Sequence, residues 1–431
     1  MSQPLFDSDQ RVRATIKPGF LKSIRDAILA PGETWYTDPS GYIYPLNHLQ
    51  KGDYKTFDLS YDPSTPSPGS SLTQSQSIDF NLYYSPNYHI IDNDGIWLEI
   101  NVSNTSGTNT VTPTFAELFF DDAKGIEFMI NGSSIYQVPS TQILLEPALE
   151  LPDTQYKNLA SLANHDNMLA YNASAKSAIA ASGSAQYIIR VANPFPSDGF
   201  WLGALGKNTL TIRLHTVNGG AVDSGTGTLN LVSFRLHMTC LAVPSDQFPV
   251  MEQLWSKRLW RCTEVVRNQP ISYTLTSTGD SPKIKMDSFR DEQCIFMLTM
   301  LRVSRAIAGT ALLNLTSPAA TSTIRIESKD GTIINSSSAI PYQFLEKVLS
   351  LRHFGSSDCI ENLNLIPTYF APNASQSIHH EIVDGVYYFT GDENFIISNS
   401  GSTSAVYTDS YGWMLRTFSC VNGVIQRMSK S

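Results

Sequence analysis

The sequence predicts an all-β fold built as two tandem eight-stranded jelly rolls, that is β-sandwiches, with a few short helices. Three observations carry this expectation. The hairpin plan of IEFMINGSSIY (126–136) is written a second time as IRIESKDGTII (324–334). The same order of strands, hairpin, helix and strands surrounds each copy. The polarity comes from Ser, Thr, Asn and Gln, because charged residues make up only 16% of the chain, against about 25% in a typical soluble domain.

Each hairpin turns at a Gly-containing pair, Asn131-Gly132 and Asp330-Gly331, as hairpin turns that need positive φ prefer. SIDFNLYYS (77–85) and GIWLEINVSNTS (95–106) precede the first and alternate as half-buried strands do. ISYTLTST (271–278) and CIFMLTMLRVS (294–304) precede the second. After the first comes DTQYKNLASLANH (153–165), a helix with Asp153 as N-cap and Tyr156, Leu159, Leu162 and Ala163 on one face. After the second comes PYQFLEKVLSLRHFG (341–355), with Pro341 at a helix start, Phe344/Val348 and Leu345/Leu349 paired at i,i+4, and Gly355 as the stop.

Strands then return in both halves. They are AQYIIRVANPF (185–195), TLTIRLHTV (209–217) and LVSFRLHMTC (231–240), then GVYYFTG (385–391), NFIISNS (394–400) and YGWMLRTFSC (411–420). The closing words FRLHMTC and MLRTFSC run parallel except that Arg416 stands where Leu236 stands in the first. An α/β chain would alternate strand and helix throughout, and this one does not. Eight strands with long cross-connections favour a jelly roll.

At 431 residues the chain exceeds one core, which stops growing near roughly 250–300 residues. The expected layout is an N-terminal arm over 1–34, a first roll over 35–245, a connecting segment over 246–264 and a second roll over 265–431. Within the connecting segment, DQFPVMEQLWSKRLWRC (246–262) places Met251, Trp255 and Leu259 at i+4 spacing beside Leu254, as a helix or an extended brace against both rolls.

Apolar residues make up 42%, enough for two cores, and the net charge of −9 excludes a nucleic-acid binder as a whole. The five cysteines (Cys240, Cys262, Cys294, Cys359, Cys420) are odd in number and lack a CxxC pair, so they read as buried thiols of a reducing compartment. No apolar h-region opens the chain and no apolar run reaches about 18 residues, so neither a signal peptide nor a membrane span is expected. The seven Asn-x-Ser/Thr sequons follow from the Ser/Thr/Asn richness.

No enzyme is expected. AVDSGTGTL (221–229) resembles an aspartic-protease loop, but that chemistry needs two carboxylates sharing a proton, and the Asp223 tripeptide is not repeated. His379, His380 and Glu381 lie side by side, so on a strand the two histidines face opposite ways and cannot easily share an ion. His215 and His237 lie in strands and read as structural. There is no GxSxG elbow, P-loop or GxGxxG, and neither a metal nor a cofactor is implied. Residues 62–76, DPSTPSPGSSLTQSQ, read as a Pro/Ser-rich loop.

The N-terminus differs. Arg11, Arg13, Lys17, Lys22 and Arg25 stand against one acid, Asp26, and Phe20, Leu21, Ile24 and Ile28 form an apolar stripe. Two readings stand side by side: a helix packed on its own roll, or a basic arm touching an anionic surface of lipid or nucleic acid.

In this order of elements the chain resembles the double jelly-roll major capsid proteins, and it is similar in length to those of tectivirus-type, membrane-containing icosahedral phages. The resemblance covers residues 35–431 and rests on plan. It implies a homotrimer whose six rolls stand upright in a pseudo-hexagonal capsomer, made in the host cytoplasm and placed in the virion. It implies as partners the neighbouring capsomers, penton and minor capsid proteins, and an internal membrane or packaged nucleic acid met through Arg11, Arg13, Lys17, Phe20, Lys22, Ile24, Arg25 and Ile28. The inserts 137–184 and 305–323 imply low towers. A reading from another class is a carbohydrate-binding β-sandwich of a viral fibre or receptor-binding protein, with Trp97, Trp201, Trp255, Trp260 and Trp413 free to stack on sugars.

Overall fold

The computed structural model describes residues 35–37, 43–45, 55–67, 76–82, 90–111, 119–121, 123–150, 153–163, 178–196, 199–217, 229–242, 248–256, 258–302, 318–335, 338–345, 365–370, 386–401 and 404–428. A short ribbon pairs Trp35–Thr37 with Ile43–Pro45. The first sandwich follows, with β1 (Lys55–Tyr61), β2 (Ser77–Leu82), β3 (Ile90–Asn104), β4 (Ile126–Ile130) and β5 (Ser133–Val138). Two helices come next, α1 (Ser140–Glu150) and α2 (Asp153–Leu162), then β6 (Ser184–Arg190), β7 (Leu210–His215) and β8 (Leu229–Ala242). Helix α3 (Phe248–Ser256) leads to the second sandwich. That comprises β9 (Leu259–Arg267), β10 (Gly279–Asp280), β11 (Glu292–Arg302), β12 (Thr323–Glu327), β13 (Ile340–Pro341), β14 (Leu365–Tyr369), β15 (Asn394–Asn399) and β16 (Ser404–Val421).

The two sandwiches share one topology. In the first, the large sheet runs β1-β8-β3-β6 and the small sheet β2-β7-β4-β5. In the second, the orders are β9-β16-β11-β14 and β10-β15-β12-β13. Each strand of the first thus has its counterpart eight places on, every pairing is antiparallel, and in each half the chain crosses between sheets in the same sequence. That is a jelly roll twice over, as the repeated hairpin predicts. Short pieces extend the second large sheet: Ile271–Leu275 and Val424–Arg427 on β16, and Tyr387–Phe389 on β11.

The first hairpin turns at Asn131 (φ 49°) and Gly132 (φ 82°), with Ile130 facing Ser133. Both central residues are left-handed, as the tight two-residue turn requires. The second differs from expectation. Gly331 does take positive φ, but the chain returns through a single bridge between Glu327 and Ile333, and the strand that pairs with β12 on the side away from β15 is β13.

Other details depart from the periodicities. Leu162 is exposed on α2, while Ala160 and Ala163 face inward. The helical spacing Met251, Trp255, Leu259 breaks at Ser256, and Leu259 opens β9 on the surface. Helix α1 was not foreseen, since Pro147 lies within it and removes a backbone donor. Around 341–355 a helical turn starts at Tyr342, after Pro341 has closed β13, and residues 346–355 lie outside the described ones.

Two clusters make the interior. One fills the second roll, with Met286, Phe289, Met297, Leu301, Ile324, Ile326, Ile366 and Phe395 among its members. The other fills the first roll and continues, through Trp255 and Trp260, onto the outer face of the second roll's large sheet. Strand β11 shows how: Met297 and Leu301 face their own roll, while Phe296, Leu298 and Met300 face the first one. A strand buried on both faces needs a near-continuous apolar run, and CIFMLTML, interrupted only by Thr299, is one.

Candidate assembly surface

The outer faces of the rolls fall into two kinds, one sealed within the chain and one open. The sealed face is the seam. There, the second roll's large sheet receives β5, α1 and the 3-10 turn Leu202–Leu205 of the first roll. Tyr136 Oη donates to the Thr263 carbonyl at 2.7 Å. The Trp413 indole faces Glu146 Oε1 at 3.4 Å, and the hydroxyls of Thr141 and Tyr411 lie 3.2 Å apart. Trp260 Nε1 donates to the Pro194 carbonyl at 2.8 Å. At the rim, Asn208 accepts from Asn131 at 2.7 Å and donates to the Gly423 carbonyl at 2.8 Å, so it joins the Asn-Gly turns of both rolls. Between these bonds lie Phe195, Phe200, Trp255, Trp260 and Phe418, ring against ring. Burial pushes the Tyr136 hydroxyl and the Cys262 thiol well above their ordinary values, with Glu146 and Glu264 adding to the rise.

Charges inside the second roll's large sheet are paired. Arg267 grips Asp409 with two nitrogens at 2.8 and 2.9 Å, and the fully buried Arg302 pairs with the same carboxylate. Arg416, the residue that broke the parallel between the closing words, is buried between Glu264 (2.7 Å) and Glu292, which Arg427 also contacts. Its sequence-distant carboxylates on β9 and β11 gave no local signal.

Both sheets of the first roll carry the same polar ladder on their outer faces. On the large sheet, Ser60 and Asp62 lie across from His237 and Arg235, and Glu99 stands on the next strand. His237 Nε2 meets Glu99 Oε2 at 2.9 Å, its Nδ1 meets Ser60 Oγ at 2.7 Å, and Arg235 pairs with Asp62 at 3.0 Å. On the small sheet, Ser77 and Asp79 lie across from His215 and Arg213, with Glu127 beyond. His215 Nε2 meets Glu127 at 3.0 Å, Nδ1 meets Ser77 at 3.3 Å, and Arg213 grips Asp79 at 2.6 and 2.8 Å. The sequence carries the signal as a repeated Arg-Leu-His facing a repeated Ser-x-Asp, which reading the two histidines as structural passed over.

Burial would raise the Glu99 carboxyl, but hydrogen bonds from Asn101, His237 and Gln186 outweigh it and hold it below the ordinary range. Glu127 behaves alike, with Ser134, His215 and Gln137 outweighing burial. A Ser-His-Glu grouping suggests nucleophilic chemistry, yet these lie on open sheet faces where hydroxyl and carboxylate sit in a strand ladder. Among the described residues no group of three or more His, Cys, Asp and Glu could hold a metal, and no helix is long and apolar enough to cross a membrane.

The residues expected to touch membrane or genome, Arg11, Arg13, Lys17, Phe20, Lys22, Ile24, Arg25 and Ile28, lie outside the described residues, as do Asp223, His379, His380 and Glu381. Cys240, Cys262, Cys294 and Cys420 are buried free thiols. Trp201, Trp255, Trp260 and Trp413 are core residues, which removes them as sugar-stacking platforms.

No protein-family model matches the chain, and no curated protein matches it in sequence. Solved structures do match. VP54 of PBCV-1, fitted into a reconstruction of the virophage Sputnik, superposes with a TM-score of 0.60 at 10% identity, over 88% of this chain and 97% of that one. The Sputnik virophage structure gives 0.56 at 9% identity, over 87% and 88%. The Faustovirus major capsid protein gives 0.51 at 9% identity, over 85% and 90%. The chain has the double jelly-roll fold of viral major capsid proteins.

Proposed function

We propose that this chain is the major capsid protein of an icosahedral virus, a structural subunit of the virion without catalytic activity. The observation that carries the reading is the pair of matched rolls, welded along one seam and superposable over nearly the whole length of VP54 of PBCV-1. A shell subunit needs broad lateral surfaces of polar and aromatic groups, and closed sandwiches protect strand edges from uncontrolled pairing.

On this reading an arm over 1–34 precedes two rolls that are joined through helix α3, the second beginning with β9 at Leu259, and three copies form a pseudo-hexagonal capsomer that meets neighbouring capsomers, penton and minor capsid proteins. The arm over 1–34 faces inward, its basic residues toward lipid or packaged nucleic acid. Electron microscopy of the purified chain tests the first part: flat trimers with six-fold outline are expected, and an elongated fibre or a monomer at all concentrations refutes it. Deleting residues 1–29 tests the second. Trimers that keep their melting temperature but fail to assemble around membrane or genome support an inward arm. Trimers that unfold, or that assemble normally, refute it.

A further inference from the structure

One end of the seam holds a buried guanidinium that the chain leaves half used. Arg302 closes β11 across from Tyr407 of β16, and Asp409 stands two residues further along that strand, opposite Met300. The side chains of Arg302 and Asp409 are both shut off from solvent. Asp409 Oδ2 accepts from Arg267 Nη2 at 2.9 Å, from the Tyr411 hydroxyl at 3.0 Å and from Arg302 Nη2. Its Oδ1 accepts from Arg267 Nε at 2.8 Å. One carboxylate thus serves two guanidiniums, and Arg302 gives it a single nitrogen. Arg302 Nε and Nη1 are buried too, and no acceptor among the described residues reaches them. The Tyr407 ring, 5.4 Å from the guanidinium carbon, attracts the cation without supplying that acceptor.

A second positive element converges on the same place. Helix α1 starts at Ser140, and Thr141 in its first turn sets its hydroxyl 3.2 Å from Tyr411 Oη, the group that donates to Asp409. The N-terminal end of a helix carries partial positive charge. Arginine N–H groups only donate. A buried guanidinium with unmet donors and a shared counter-charge is costly. A water molecule there would meet the donors and leave the charge, whereas an anion meets both.

We propose that Arg302 Nε and Nη1 hold a halide ion, chloride in ordinary media, at this end of the seam. Because Arg302 and Asp409 are closed off, the ligand has to be small and to shed its water readily. A monatomic anion does so, and phosphate, larger and strongly hydrated, does not. Arg267, whose side chain is 20% exposed, marks the side from which the ion enters. Bound where α1 of the first roll meets the second roll's large sheet, it couples the stability of the seam to the halide in the medium.

Thermal unfolding of the full chain tests this, at about pH 7 and fixed ionic strength, with potassium gluconate replaced stepwise by potassium chloride or bromide. Tm should rise and level off, by about 1–3 °C at about 100 times the Kd. Potassium phosphate at the same ionic strength should give no saturating rise. Arg302→Gln should abolish the halide response. Arg325→Gln, which removes a guanidinium paired with Asp280 and Glu327 on the second roll's small sheet, should keep it. Crystals of the wild-type chain grown in bromide should carry anomalous density in contact with Arg302 Nε and Nη1, a readout that stands whether or not Arg302→Gln folds. The inference fails if halide gives no saturating rise, if the rise persists in Arg302→Gln, if phosphate matches it, or if a water molecule or a carboxylate of the chain occupies that position in bromide.

Discussion

The Tyr136 hydroxyl donates to the Thr263 carbonyl at 2.7 Å. This one bond joins the first roll's hairpin to the first strand of the second roll, in surroundings where both groups are shut off from water. Removing the hydroxyl with Tyr136→Phe should cost about 1–2 kcal/mol, the price of one buried hydrogen bond whose acceptor is left behind. Tyr136→Ala, which also opens a cavity beside Phe128, should cost about 3–5 kcal/mol. Urea unfolding of the full chain measures both, and equal losses would mean that the ring alone, not the bond, ties the rolls.

Arg416 is 3% exposed and sits between Glu264 and Glu292. Arg416→Met fills much the same space but takes from both carboxylates the buried guanidinium between them, leaving Arg427 at the rim. The expected loss is about 3–5 kcal/mol, as for other buried ion pairs broken on one side. The triple variant with Glu264→Gln and Glu292→Gln should recover part of it. No recovery in denaturant unfolding would show that packing, not charge, governs the site.

Much of the fold was legible because it is written in short-range patterns. Asn131-Gly132 announces its turn, and SIDFNL alternates as its burial does. What was not legible depends on contacts distant in sequence. The return strand of the second hairpin is set by the pairing of Ile340–Pro341 with Thr323–Ile324, not by the Asp330-Gly331 turn. Helix α1 is stabilised by burial against Tyr411 and Trp413, which outweighs the penalty of Pro147. Leu259 fits a helical stripe but pairs with Ser419 as a strand. The face ladders were written in the sequence as Arg213-Leu214-His215 and Arg235-Leu236-His237, but their meaning needs the register that sets Ser-x-Asp opposite.

Acid should destabilise the chain through carboxylates that the fold holds charged. Burial would raise Glu393, but the Thr390 and Gly391 amides and the Thr390 hydroxyl, at 2.9–3.1 Å, outweigh it and hold the carboxyl below its ordinary value. Asp280 is lowered by Arg325 and then Ser398. A folded value below the unfolded one means stability that is complete above the unfolded value and is lost as pH falls through the folded one. Stability should therefore be level above about pH 5 and decline below about pH 4. Glu393→Gln should make the decline shallower while lowering the plateau by about 1–3 kcal/mol. Melting temperatures from pH 2.5 to 7 measure this, and a decline that starts near neutrality would point to other groups.

Gly125 stands before β4 with φ +49°, and a Cβ there would collide with the Val138 carbonyl oxygen. Both the backbone conformation and the space oppose a side chain. Because the obstacle is backbone, it cannot swing aside, and Gly125→Ala should cost about 2–4 kcal/mol. Gly132, equally left-handed but with open space around it, should lose only about 1 kcal/mol on the same change. A similar loss at both positions in thermal unfolding would remove the collision from the account.

The two rolls should unfold as one. The first roll's core runs without a break onto the outer face of β11 and β16, so neither roll can open without exposing the apolar face of the other. Leu298 and Leu301 separate the seam from the second roll's own core, since they lie on one strand, are both fully buried, and face opposite ways. Each Leu→Ala should cost about 2–5 kcal/mol through lost transfer energy and a residual cavity. Their consequences should differ. Leu301→Ala weakens the second roll from within and should lower a single common transition. Leu298→Ala weakens the weld and should broaden that transition toward two, with tryptophan fluorescence, to which the seam residues Trp255, Trp260 and Trp413 contribute three of the six indoles, changing ahead of the strand signal in circular dichroism. Calorimetry of the wild-type chain showing two well-separated transitions, or the two variants melting with identical profiles by both probes, would mean that the seam does not couple the rolls.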